Sequence, residues 1–181
     1  METTAAILLR KTKLSDTSLI IGWWTESHGK IKTVAKGARR PRSPFAGKLD
    51  LFFEAEIQFV RAKRSELHTL REVALRRSNE GVRLHLANVR LASYFVELIE
   101  LVTEPEHAAP ELYGLLQRAF DYLSTRPATR RALLHFESEL VRFIGIQGED
   151  GCSPAVSIGR AYGRLPVLRR EVVSHFKDGI A

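Results

Sequence analysis

Residues 51–60 read LFFEAEIQFV. Leu51, Phe53, Ala55, Ile57 and Phe59 lie two apart, with Phe52, Glu54, Glu56, Gln58 and Val60 between them. Side chains on a strand alternate between faces, so this pattern predicts a strand with one buried and one solvated face. Working outward, residues 67–75 alternate more weakly through Leu67, Thr69, Arg71, Val73 and Leu75. Residues 5–10 (AAILLR), 18–25 (SLIIGWWT) and 30–36 (KIKTVAK) are short runs, apolar, β-branched or aromatic, with Ser15-Asp16 and Ser27-His28-Gly29 as turn signals around the second. Five short strands with a basic face predict a small barrel of the OB-fold type.

Beyond residue 80 the period changes to helical steps. Leu84, Ala87, Leu91, Tyr94, Phe95, Leu98, Leu101 and Val102 form a stripe that the 103–109 segment, with Pro105, ends. Pro110 suits the first position of a second helix, with Leu112, Leu115, Leu116, Ala119, Tyr122 and Leu123 on its face. Pro127 is read as opening a third, with Leu133, Phe136, Leu140, Phe143 and Ile144 inward and Gly145 at its end. A polar loop is expected over 148–153, and a last helix from Pro166 with Leu168, Val172, Val173 and Phe176 inward. The fold class expected is α+β: an OB-fold barrel over 1–80 and an all-helical domain over 81–181.

The 181 residues are 44% hydrophobic and 27% charged, close to an average soluble protein, which excludes wholesale disorder. No window of about 18 residues lacks charge, so no spanning helix is expected. The start, METTAAILLRKTK, lacks the cationic region and the long apolar run of a signal peptide. Cys152 is the sole cysteine, so neither an internal disulfide nor a Cys-rich zinc site is expected. The expectation is a cytoplasmic protein with no structural metal and no cofactor.

The net charge of +7 is unevenly spread: residues 1–80 carry sixteen Lys/Arg against nine Asp/Glu, and residues 81–181 carry twelve of each. This is the pattern of a polyanion-binding module joined to a neutral one. Within it, GKIKTVAKGARRPRSPFAGK (29–48) holds Lys30, Lys32, Lys36, Arg39, Arg40, Arg42 and Lys48, with no Asp or Glu between Glu26 and Asp50. On a strand, Lys30, Lys32 and Lys36 share one face and Ile31, Thr33 and Ala35 the other. Gly37 ends the strand, and Pro41 and Pro44 are expected to keep the arginines extended and accessible. Seven cations without counter-charge repel one another until a phosphate backbone relieves them and releases counterions; the alternative is a solvated basic loop. Of Trp23 and Trp24, neighbours on a strand, at most one is expected in the barrel core. The other either packs or stacks on a base.

Nothing persuasive points to catalysis. The six histidines are scattered, and Glu97/Glu100 and Glu137/Glu139 are ordinary helix pairs. The glycine-rich segment 145–151 follows a helix and has no Lys, unlike a phosphate loop. No enzymatic activity is expected.

The stretch AILLRKTKLSDTSLIIGWWTESHGKIKTVAKGARRPRSPFAGKLDLF, followed by FEAEIQF and LHTLREV, resembles the RecO family of DNA repair proteins. The resemblance implies an N-terminal OB-fold and a C-terminal helical domain. It also implies a non-enzymatic mediator that binds single- and double-stranded DNA and anneals complementary strands. The implied partners are RecR, often RecF, and single-stranded DNA-binding protein, with RecA loading as the outcome and the nucleoid as the place. The family's basic barrel surface corresponds to Lys30, Lys32, Lys36, Arg39, Arg40 and Arg42 here. Its site for the acidic, aromatic-ended tail of single-stranded DNA-binding protein implies an apolar groove edged by cations, with Arg118, Arg130, Arg131 and Arg142 as candidates. Many members carry a four-Cys zinc site where this chain has only Cys152, and the chain is shorter than typical members. A zinc-free variant with a trimmed helical half is therefore expected. Two readings from other classes stand beside this one: an RNA-binding OB-fold module, and a basic protein–protein adaptor.

Overall fold

The computed structural model describes residues 1–146 and 151–178. Part of the loop expected over 148–153, and of the glycine-rich segment 145–151, lies outside them. The chain forms two compact units, Met1–Asn79 with Thr103–Tyr113, and Glu80–Val102 with Gly114–Ala181.

The first unit contains five strands, β1 (Glu2–Lys13), β2 (Leu19–Thr25), β3 (Gly29–Ala35), β4 (Glu54–Val60) and β5 (Leu67–Arg77). They close into a barrel in the order β1-β2-β3-β5-β4. Every pairing is antiparallel except β3 with β5, the arrangement of an OB-type barrel. Closure depends on β1, which is long enough to serve two neighbours: Glu2–Ile7 pairs with β4, and Ala6–Lys13 pairs with β2. A register shift between Leu8 and Arg10 bends the strand from one partner to the other and buries both Leu8 and Leu9. The core holds Trp23, Ile21, Ile31, Ala55, Ile57 and Phe59. Trp23 Nε1 donates to Thr33 Oγ1 at 2.8 Å, so its one polar atom is satisfied.

The alternating run at 51–60 forms a strand only from Glu54. Phe52 adopts φ 69°. Its N–H donates to Leu8 O (3.0 Å), and Leu8 N–H donates to Phe53 O (2.8 Å). This irregular crossing of β1 delays the start of β4.

Thr103–Tyr113, read from sequence as a helix break, belongs to the barrel unit. Pro105 makes a parallel bridge to Lys30, and Glu106 N–H donates to Lys30 O at 3.0 Å. Glu106 also forms an ion pair with Arg61. Gly29, at φ +64°, lies so near this segment that a Cβ would sit 2.0 Å from His107 O.

The second unit contains α1 (Glu80–Arg83), α2 (Leu86–Val102), most of α3 (Pro110–Thr125), α4 (Arg130–Ile144), α5 (Pro154–Tyr162) and α6 (Leu168–Asp178). Two expected details differ. Leu84 falls between α1 and α2 and is 75% exposed, because α2 begins only at Leu86. The third helix starts at Arg130, where Thr129 Oγ1 accepts from Ala132 N–H (3.1 Å), a cap that contributes about 1 kcal/mol. Gly145 ends it at φ 71°.

Two buried polar clusters fix the packing of this unit. Asn88 of α2 donates to Leu123 O (2.7 Å) and Arg126 O (2.9 Å) and accepts from Ala128 N–H (2.8 Å), tying off the C-terminus of α3. Glu137 of α4, fully buried, accepts from Tyr94 Oη of α2 (2.7 Å) and from Arg169 of α6 through Nε (2.7 Å) and Nη2 (3.2 Å). Burial and the adjacent Glu137 charge hold the Tyr94 hydroxyl well above the ordinary tyrosine range.

Candidate nucleic-acid interface and partner groove

β3 displays the alternation that its sequence dictates. Ile31, Thr33 and Ala35 point inward, while Lys32 is exposed and Lys30 and Val34 are half-buried. The cations expected to act together therefore separate into two groups. Lys30 Nζ donates to Thr103 O at 3.0 Å, so its charge is committed to the 103–109 segment. Arg39 Nη1 donates to Ser15 O at 3.3 Å, and Arg39 N–H to Thr17 O at 3.0 Å, which fastens it to the β1–β2 loop. Lys32, Lys36, Arg40 and Arg42 are exposed and make no ion pair or side-chain hydrogen bond among the described residues. Lys48 is half-buried.

The loop that carries the arginines is turned, not extended. Arg40 N–H donates to Gly37 O, Ser43 N–H to Arg40 O, Ala46 N–H to Ser43 O and Lys48 N–H to Phe45 O, all within 3.0–3.1 Å. Phe45 is 6% exposed and belongs to the barrel core. One apolar anchor plus a chain of i→i+3 bonds compacts the loop while Pro41, Arg42 and Arg40 remain in solvent. Accessibility thus survives although the extended shape does not.

Trp23 and Trp24 are both fully buried. Trp23 fills the barrel core and Trp24 lies on the opposite face of β2, so neither presents a ring to a base. Only Trp23 belongs to the barrel core, as expected, and of the two roles open to the other ring Trp24 takes packing. All the aromatic residues of the first unit, Trp23, Trp24, Phe45, Phe52, Phe53, Phe59 and Tyr113, are in fact buried. Its outer face offers cations without stacking platforms.

Three cations unassigned from sequence share that surface. Lys63 and Arg64 occupy the β4–β5 loop, one of the loops with which OB barrels contact oligonucleotides. Arg71 lies on the outer side of β5. It follows the parallel pairing of β3 with β5, which runs from Lys32↔Leu67 to Val34↔Thr69. All three are exposed and make no ion pair among the described residues. The RAKR run at 61–64 was the available signal.

In the second unit, an apolar groove of about 470 Å³ opens between α3 and α4. Phe95 and Phe136 line it as a stacked pair, 3.9 Å between centroids. Its cationic edge is Arg118, Arg126 and Arg131. Arg126, not foreseen, lies over the Tyr122 ring at 5.6 Å. Arg130 and Arg142 are not among the lining residues. Arg142 instead bonds Glu139 (2.7 Å) and covers the Phe143 ring (4.2 Å).

Comparison with known proteins agrees with this architecture. The family model described as recombination protein O N terminal matches residues 1–79, and that described as recombination protein O C terminal matches residues 83–148. The DNA repair protein RecO of Rhodopirellula baltica is 31% identical over 140 residues, covering 77% of this chain and 52% of its own length. The RecO of Desulfatibacillum aliphaticivorans is 32% identical over 148 residues (81% and 56%), and that of Pelobacter propionicus 30% over 153 residues (84% and 62%). The chain thus spans about half the length of the curated relatives it matches.

Proposed function

From the chain's membership of the recombination protein O family, we propose that it is a non-enzymatic mediator of recombinational DNA repair that binds single- and double-stranded DNA and anneals complementary strands. The barrel unit, Met1–Asn79 with Thr103–Tyr113, serves as the nucleic-acid module and the helical unit as the partner module. The observation that carries annealing is the character of the barrel surface: exposed cations with every aromatic ring buried. Lys32, Lys36, Arg40 and Arg42 neutralise phosphates, and Lys30, Arg39 and Lys48 shape the surface around them. A protein that stacks bases withholds them from pairing. One that holds only phosphates leaves base edges free and screens two like-charged strands from each other, so Watson–Crick pairing supplies the sequence information.

The groove edged by Arg118, Arg126 and Arg131 suits the tail of single-stranded DNA-binding protein, with the terminal aromatic ring against the half-buried Ala119, Tyr122 and Ala132 and the acidic groups on the arginines. RecR, and RecF where present, complete the assembly that loads RecA at the nucleoid, and neither catalysis nor a cofactor is required. The test is annealing of complementary DNA oligomers followed by fluorescence, with RNA of the same sequence in parallel. Accelerated DNA annealing supports the reading. Preference for RNA favours an RNA-binding module, since only RNA carries the 2′-OH. Binding of neither favours a protein adaptor.

A further inference from the structure

We infer that the helical unit carries a second site for a phosphodiester, in the notch between α2 and α6. The inference rests on the annealing function proposed above. The notch, about 440 Å³, is lined by Arg90 of α2 and by Arg170, Glu171, Ser174 and His175 of α6. Arg170 and Ser174 are four apart and share a helix face, with His175 beside them. Two guanidinium forks, a hydroxyl and an imidazole make this a collection of donors suited to phosphate oxygens. Glu171 is the single carboxylate in the lining. It stands 3.9 Å from Arg90 Nε with 58% of its side chain exposed, a weak pair that a doubly contacted anion displaces.

Two features distinguish this from a solvated helix face. First, α6 is held in place. Arg169 is turned inward onto buried Glu137, and Val172 is 2% exposed in the core. The neighbouring Arg170 is exposed, and with Ser174 and His175 it is presented by a helix whose rotation is set. Second, the helical unit carries twelve Lys/Arg against ten Asp/Glu, so a cationic notch is not a by-product of a strongly basic unit. A chain with one phosphodiester site on its barrel and another on its helical unit holds two strands at once, which annealing requires.

The test is titration calorimetry of the full chain at low salt with an oligothymidylate of about eight nucleotides, within the span of one OB-fold, beside a stopped-flow annealing assay. Wild type should bind two oligomers. R90A/R170A should bind one, with first-site affinity within about two-fold, an unchanged thermal melt and annealing slowed at least ten-fold. R90K/R170K, which keeps charge but loses the forked geometry, should retain a weakened second site. Inorganic phosphate as competitor separates the two sources of the anion. If phosphate binds at the notch but no second oligomer does, the site takes a small anion only and the strand-binding proposal fails. One oligomer per wild-type chain, or unchanged stoichiometry and annealing in R90A/R170A, overturns it while leaving the barrel reading intact. A wild type that binds no oligomer overturns both.

Discussion

Replacing Arg169 with Ala should destabilise the helical unit by about 2–4 kcal/mol. Removing one partner of a buried ion pair costs roughly 3–5 kcal/mol because the other charge is stranded, and Glu137 is fully buried with two of its three hydrogen bonds coming from Arg169. Arg169 itself is 25% exposed, so water reaches the vacated position and trims the cost. Tyr94→Phe removes one hydrogen bond to a charged acceptor and leaves the ion pair, which predicts a smaller loss of about 1.5–2 kcal/mol. The double change E137M/R169M, which removes both charges and keeps volume, should be far less damaging than the sum of its single changes. Urea denaturation at neutral pH, followed by helical circular dichroism, measures these variants and the two single Met changes. The alkaline limb adds a sign test. Because folding raises the Tyr94 pKa, the stabilisation from its neutral hydroxyl is complete below the ordinary value of 10.0 and is lost as pH rises above it. Tyr94→Phe should flatten that decline. An R169A protein within about 0.5 kcal/mol of wild type, or a double variant as unstable as the sum of the singles, would refute the buried-charge reasoning.

Gly29→Ala should lower the melting temperature of the barrel by several degrees and expose the 103–109 segment to protease, since its Cβ meets His107 backbone at 2.0 Å. Phe45→Ala should cost about 3 kcal/mol and raise hydrogen exchange across residues 37–48, the loop that it anchors. The Arg61 guanidinium, by hydrogen bonding to Glu2, holds its carboxyl below the usual value of 4.5. That stabilisation is therefore present above the usual carboxylate range and is lost as pH falls through the lowered pKa. Glu2→Gln should make acid unfolding between pH 5 and 2 shallower, read by fluorescence of the buried tryptophans.

The strands were legible because a period of two is a local property. The Ile57–Phe59 stretch and the Lys32 face both landed as the alternation requires. What escaped the sequence reading depends on contacts distant along the chain. Nothing near Lys30 announces that Thr103 will take its charge, and nothing near Phe45 marks it as the anchor of a basic loop. Trp24 was open to base stacking or packing, and only its burial decides for packing. Pro154–Tyr162 went unread because its nine residues include a glycine and two β-branched side chains, a weak helical signal. In the helical half, an apolar groove with a cationic edge was foreseeable in kind. Its actual edge was not, since Arg126 projects from the end of α3, while Arg142 is occupied by the nearby Glu139.

The most direct test of the phosphate-holding surface is the salt dependence of single-stranded DNA binding by wild type and by a K32A/K36A/R40A/R42A variant. These four cations are exposed and make no ion pair among the described residues, and each lost phosphate contact reduces the slope of log K against log salt by roughly 0.7. The slope should fall by about 3, the loss should be equal for unrelated sequences and for dA and dT homopolymers, and the thermal melt should stay within a few degrees of wild type. An unchanged slope, or a loss confined to one base composition, would contradict the assignment of DNA binding to phosphate contacts on this face.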